Sequence, residues 1–99
     1  MNIYELPQMP LAEELTTILA KNGNARIERI VSTGQVTGWY DQGETEFVAL
    51  LEGSATIEFE NKAPAQLSKG DILIIKPHEK HRVSYTSANP PCIWLCVFY

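Results

Sequence analysis

The chain has 99 residues, 44% of them hydrophobic and 20% charged, with a formal net charge of −4. This composition excludes disorder. The length suits a single domain, residues 1–99, with little surplus core, so a homodimer is expected to add buried area. An acidic chain is a poor nucleic-acid binder, because neutralising phosphates supplies most of that affinity. Its one dense basic stretch, Lys76, Lys80 and Arg82, is interrupted by Glu79 and reads as solvated surface.

In chain order, Pro10 to Ala20 comes first and places Leu11, Leu15, Ile18 and Leu19 on one helical face. Pro10 suits a first turn, Glu13 and Glu14 suit the positive end, and Asn22-Gly23-Asn24 ends the segment. A short N-terminal helix is therefore predicted within an arm, residues 1–24, packed outside a sheet. Ala25 to Thr33 reads as a strand, with Ile27, Arg29 and Val31 on one side and Arg26, Glu28 and Ile30 on the other. Gly34 ends it. Glu46 to Glu52 is apolar on both faces, so it is expected to be covered on both.

After Gly53, Ala55, Ile57 and Phe59 alternate with Thr56, Glu58 and Glu60, the pattern of a half-buried strand. Gln66 to Ser68 is a short edge strand, Lys69-Gly70-Asp71 a turn, and Ile72 to Ile75 a buried strand. Pro77 to Lys80 turns again. His81 to Thr86 then sets His81, Val83 and Tyr85 against Arg82, Ser84 and Thr86. Asn89-Pro90-Pro91 is a loop before a final apolar strand, Cys92 to Tyr99. Seven or eight short strands spaced by turns argue for an all-β sandwich or barrel over residues 25–99.

No segment reaches the roughly 20 apolar residues of a membrane span. The opening residues carry an early acid, Glu5, and no basic run, so no signal peptide is expected and the cytoplasm is the default location. Cys92 and Cys96, four apart on one strand, would lie roughly 13 Å apart. A disulfide needs under about 7 Å, so they read as two buried thiols.

Glu46, six residues and then Gly53 resemble the end of the first motif of the cupin family, G(X)5HXH(X)3–4E(X)6G. Gly70-Asp71, the apolar run, a Pro-containing turn and His81-Arg82-Val83 resemble its second motif, G(X)5PXG(X)2H. The resemblance covers about Gly34 to Tyr99. It implies a double-stranded β-helix, the cupin jelly-roll barrel. It also implies a divalent metal (Mn, Fe, Ni or Zn) held by two His and a Glu of the first motif and a His of the second. Carried over, Glu46 takes the Glu place and His81 the second-motif His place.

The two first-motif histidines are absent. Their places fall on Tyr40 and Gln42, or on Trp39 and Asp41, depending on the spacing. The usual Pro place of the second motif is Lys76 and the usual Gly place is His78. A mononuclear site wants three or four donors about 2 Å from the ion. Asp41, Glu46 and His81 form the candidate metal set, with His78 or Gln42 completing it. The alternative is that Glu46 and His81 form a metal-free hydrogen-bonded pair, which also perturbs pKa values as a general acid or base requires.

Tyr40, Gln42, His78 and Tyr85 are the candidate ligand contacts, Tyr85 because it shares the His81 face. Trp39 and Trp94 are either pocket or core aromatics. The resemblance implies a metal-dependent enzyme of isomerase, decarboxylase or dioxygenase type, with Glu46 and His81 as its catalytic residues; the alternative is a non-catalytic, metal-free module binding a small polar metabolite.

Overall fold

The protein is described from a computed structural model that covers residues 1–99. Eight strands form in chain order: β1 (Leu15–Asn22), β2 (Ala25–Ser32), β3 (Glu46–Glu52), β4 (Ser54–Phe59), β5 (Ala65–Ser68), β6 (Ile72–Ile75), β7 (His81–Thr86) and β8 (Cys92–Phe98). They build a five-stranded sheet in the order β1-β2-β8-β3-β6 and a three-stranded sheet in the order β5-β4-β7. Every named pairing is antiparallel. The expected all-β jelly roll is present, and the core lies between the two sheets. Val48 and Leu50 of β3, Trp94 and Cys96 of β8, and Ile57 of β4 are among its buried residues.

The helix expected over Pro10 to Ala20 is not formed. Leu15 to Asn22 pair with β2 as an antiparallel strand, from Leu15 opposite Val31 to Asn22 opposite Ala25. Two local features outweigh the helical spacing. Thr16, Thr17 and Ile18 are β-branched and lose side-chain freedom in a helix. Asn22-Gly23, expected as a helix stop, is instead a two-strand reversal, with Gly23 at a φ of +59°. A register shift between Ile18 and Ala20 accommodates the strand to its neighbour.

The apolar run Ile72 to Ile75 is a strand, but it is not buried throughout. Ile75 is covered, whereas Ile72 and Ile74 are 63% and 44% exposed. The run forms the edge strand β6, pairing only with β3. Its Ile75 side faces the core while the other side stands on the outer face of the sheet.

Gly53 explains one motif position physically. It is the single residue between β3 and β4, where the chain leaves one sheet for the other. Its φ is +89°, and an added Cβ would stand 2.8 Å from Ser87 Oγ and 2.9 Å from both Cα and Sγ of Cys92. Only glycine takes that backbone conformation in that space.

Candidate functional site

Glu46 is the first residue of β3 and His81 the first of β7, so the two sit at one end of facing sheets. Both are buried. Glu46 is opposite Phe98 on β8 and shares the inward face with Val48 and Leu50, as the alternation predicts. His81 is opposite Phe59, with ring centroids 6.3 Å apart. Glu46 Oε1 lies 3.8 Å from His81 Nε2. The second His81 nitrogen, Nδ1, is 2.8 Å from the Glu79 carbonyl. A carbonyl only accepts, so Nδ1 donates to it, and Nε2 is the nitrogen that faces the cavity.

The segment after Thr33 closes the site. Thr37 N donates to Val83 O, and Tyr40 and His81 exchange backbone hydrogen bonds of 2.7 and 3.0 Å. The loop thereby extends the three-stranded sheet beyond β7 and lays Tyr40 against the imidazole, with ring centroids 5.8 Å apart. Gln42 Nε2 donates to Glu46 Oε1 at 3.0 Å. These side chains line a cavity of about 330 Å³ inside the barrel. That volume is at the low end of small-molecule sites, roughly 300–1,000 Å³.

The cavity tunes its acids. Burial raises the Glu46 pKa above the ordinary carboxylate value, and the Gln42 hydrogen bond, the His81 ring and the Cys96 thiol offset only part of this. Burial beside Glu46 pushes the Cys96 thiol up, so it stays protonated. Glu14 is raised by burial and by the charge of Glu28. Tyr40 is raised by burial and by Glu14 and Glu46.

The expected residues do not all converge. Tyr40 and Gln42 reach the cavity with Glu46 and His81, and Trp94 also lines it, its indole N–H donating to Ser32 Oγ at 3.2 Å. Asp41 and His78 do not reach it. They meet on the exposed rim, His78 Nδ1 2.8 Å from Asp41 Oδ1. Tyr85 is 51% exposed and points away from the cavity. Its separation from the His81 face has a definite cause. The β4–β7 register shifts between Thr56 and Ile57, so Ile57 faces Val83 while Thr56 pairs with Tyr85. One extra residue in β7 reverses the alternation beyond it. Trp39 lies outside, 4.7 Å beneath the Arg82 guanidinium.

The donor set does not fit a mononuclear metal centre. Glu46 and His81 are two donors, Asp41 is held by His78 on the rim, and no group of three His, Cys, Asp or Glu side chains is placed to hold an ion.

Sequence reasoning misses most of the polar lining. Arg26 and Glu28 point into the cavity from β2, with Arg26 Nε donating to Glu28 Oε2 at 2.8 Å and Nη1 donating to Glu44. The Arg26 guanidinium also lies 4.0 Å over the Phe98 ring. Alternation does place Arg26, Glu28 and Ile30 on one side, but a charged strand face usually means solvent. Glu14 is hidden by the helical spacing of its segment. Cys96 carries no signal beyond that of a core thiol.

The comparisons with known proteins agree with this architecture. The family model of the cupin domain matches residues 28–98. A Ralstonia eutropha protein provisionally named a mannose-6-phosphate isomerase has a crystal structure similar to this chain, with a TM-score of 0.93 and 34% identity over 99% of this chain and 94% of that one. A cupin superfamily protein of Desulfitobacterium hafniense is similar at a TM-score of 0.80 and 17% identity, covering 93% of this chain and 82% of that one. The DMSP lyase DddQ of Ruegeria pomeroyi shares the fold at a TM-score of 0.75 and 16% identity, over 87% of this chain and 46% of its own length. No curated protein matches the chain. With both sheets, the Gly53 crossover and the Glu46–His81 end of the barrel in place, the chain belongs to the cupin family.

Proposed function

We propose that this protein binds a small polar metabolite in its barrel cavity without a divalent ion, with Glu46 and His81 as the central polar contacts. The observation that carries this reading is the cavity itself. It presents a buried carboxyl 3.8 Å from an imidazole nitrogen that has no hydrogen-bond partner, and no third metal donor joins them. Expected on elemental analysis is less than stoichiometric Mn, Fe, Ni or Zn after incubation with each metal. Stoichiometric metal that is lost in Glu46→Ala and His81→Ala would overturn the metal-free part of the reading.

A second reading is favoured by the chemistry of the pair. A carboxyl whose pKa burial has raised, facing an imidazole, is suited to exchange protons with a substrate. Isomerisation of a hydroxy-carbonyl compound needs one group to remove a proton and another to return it. The provisional name of the Ralstonia eutropha relative is consistent with that reaction class. Solvent deuterium incorporation into the carbon next to the carbonyl, lost in Glu46→Gln, is the expected signature if this reading holds.

The homodimer expected from size is part of the proposal. Ile72 and Ile74 expose apolar surface on the outer face of the five-stranded sheet, at its β6 edge, and a second copy packed there would remove it from water.

A further inference from the structure

The wall of the cavity is chemically one-sided. Four carboxylates line it, Glu14, Glu28, Glu44 and Glu46, against a single guanidinium, Arg26. Arg26 is already committed. Its Nε donates to Glu28 and its Nη1 to Glu44, and its face lies on the Phe98 ring. No lysine lines the cavity. An entering phosphate or carboxylate would therefore meet a neutralised cation and two further acids, and like charges in a partly desolvated space repel.

A second, independent feature points the same way. His81 is only 4% exposed, and its Nε2 has no hydrogen-bond partner. With Nδ1 donating to the Glu79 carbonyl, Nε2 is the ring nitrogen that faces the cavity. A ring nitrogen without a partner inside the barrel is open to a hydrogen bond from the ligand. The Gln42 amide, the one side-chain amide on the wall, already gives one of its two hydrogens to Glu46. Acceptors thus outnumber free donors, and negative charge outnumbers positive.

We propose that the cavity selects a small ammonium-bearing ligand, whose N–H groups are shared between the carboxylates of the wall and His81 Nε2, and that it rejects sugar phosphates. The inference rests on the cavity being a metabolite site, as proposed above, and adds the charge class of the metabolite. It separates this chain from the substrate that the name of the Ralstonia eutropha relative suggests, because a phosphate finds no free cation here. Glu14 and Glu28 become the specificity-determining residues. Glu28 acts by neutralising Arg26, and Glu14 by adding a carboxyl with no ion-pair partner to the same wall.

Isothermal titration calorimetry with four probes tests this: 1,4-diaminobutane, its neutral counterpart 1,4-butanediol, glucose and glucose 6-phosphate. The diamine is expected to bind at least about tenfold tighter than the diol, the difference a charged hydrogen bond makes, and glucose 6-phosphate more weakly than glucose. Glu14→Gln, which breaks no ion pair, is expected to weaken the diamine several-fold and leave the diol unchanged. Glu28→Gln is expected to do the same and to improve glucose 6-phosphate by freeing the Arg26 Nε from its carboxylate. Equal binding of diamine and diol, or tighter binding of the sugar phosphate than of glucose, overturns the charge inference and leaves the metabolite site standing. No binding by any probe, nor by a fragment set of mixed charge, overturns both.

Discussion

Burial makes the Glu46 carboxyl reluctant to ionise, and that single fact has a consequence for stability. Its pKa is raised in the folded chain above the value of 4.5 it has when exposed. A group of this kind contributes stability that is fully present below the unfolded pKa and is lost as pH rises through the folded pKa. Glu46→Gln removes the ionisation while keeping the shape. The variant is expected to match the parent near about pH 4 and to melt at a higher temperature than the parent at neutral pH, measured by circular dichroism across the range. A variant that is less stable at neutral pH would show that the ionised carboxyl is held by contacts stronger than its desolvation.

Gly23 and Gly53 both have positive φ but differ in surroundings. Gly23, at +59°, has nothing within 4 Å of an added Cβ, whereas Gly53, at +89°, would bring a Cβ to 2.8 Å from Ser87 Oγ. Gly23→Ala is expected to cost about 1 kcal/mol, the backbone strain alone. Gly53→Ala is expected to cost about 3 kcal/mol or more, since strain and overpacking add. Chemical denaturation of the two variants reads the difference, and equal costs would mean the Ser87 and Cys92 contacts relax freely.

At the scale of elements, the sequence is most legible where alternation and turns agree. The β4 pattern of Ala55, Ile57 and Phe59 inward is what the structure has, and Glu46 and His81 begin the strands on which their motif spacing puts them. It is least legible where one extra residue intervenes. Nothing in His81 to Thr86 announces the register shift that turns Tyr85 outward, because a bulge is decided by pairing with β4 and not by the composition of β7. Similarly, Leu15, Ile18 and Leu19 satisfy a helical spacing, yet pairing with β2 fixes the segment as a strand. His78 shows the same dependence. It adopts a left-handed φ of 61°, its N–H donates to Gln42 O at 2.7 Å, and its ring meets Asp41. His78→Gly is expected to relieve the backbone strain while loosening the rim loop, leaving stability within about 1 kcal/mol of the parent but increasing amide exchange at Asp41 to Gly43.

For the whole molecule, the outer face of the five-stranded sheet is the surface that the proposed dimer would cover. Ile72 and Ile74 are exposed on β6 while Ile93 and Ala49, on neighbouring strands, are covered. Ile72→Lys combined with Ile74→Lys is expected to convert a dimer to a monomer in sedimentation equilibrium without lowering the melting temperature by more than a few degrees. A parent protein that sediments as a monomer would remove the dimer from the proposal.

Alternation and turns were enough, within the sequence alone, to specify an all-β sandwich or barrel, and the resemblance of Glu46, Gly53, Gly70 and His81 to the cupin motifs implied the jelly roll and one acid and one imidazole at the same end of it. These are properties of period and punctuation, which a linear chain carries in itself. Which side of each strand faces inward beyond a bulge, whether Asp41 turns to the cavity or to His78, and that Arg26 and Glu28 enter from β2 were decided only by tertiary pairing. A carboxylate reads the same in sequence whether it meets water or a guanidinium. The difference lies in the neighbour that the other strands bring to it, and that neighbour turned an expected metal set into an acid-lined cavity with one uncommitted imidazole nitrogen.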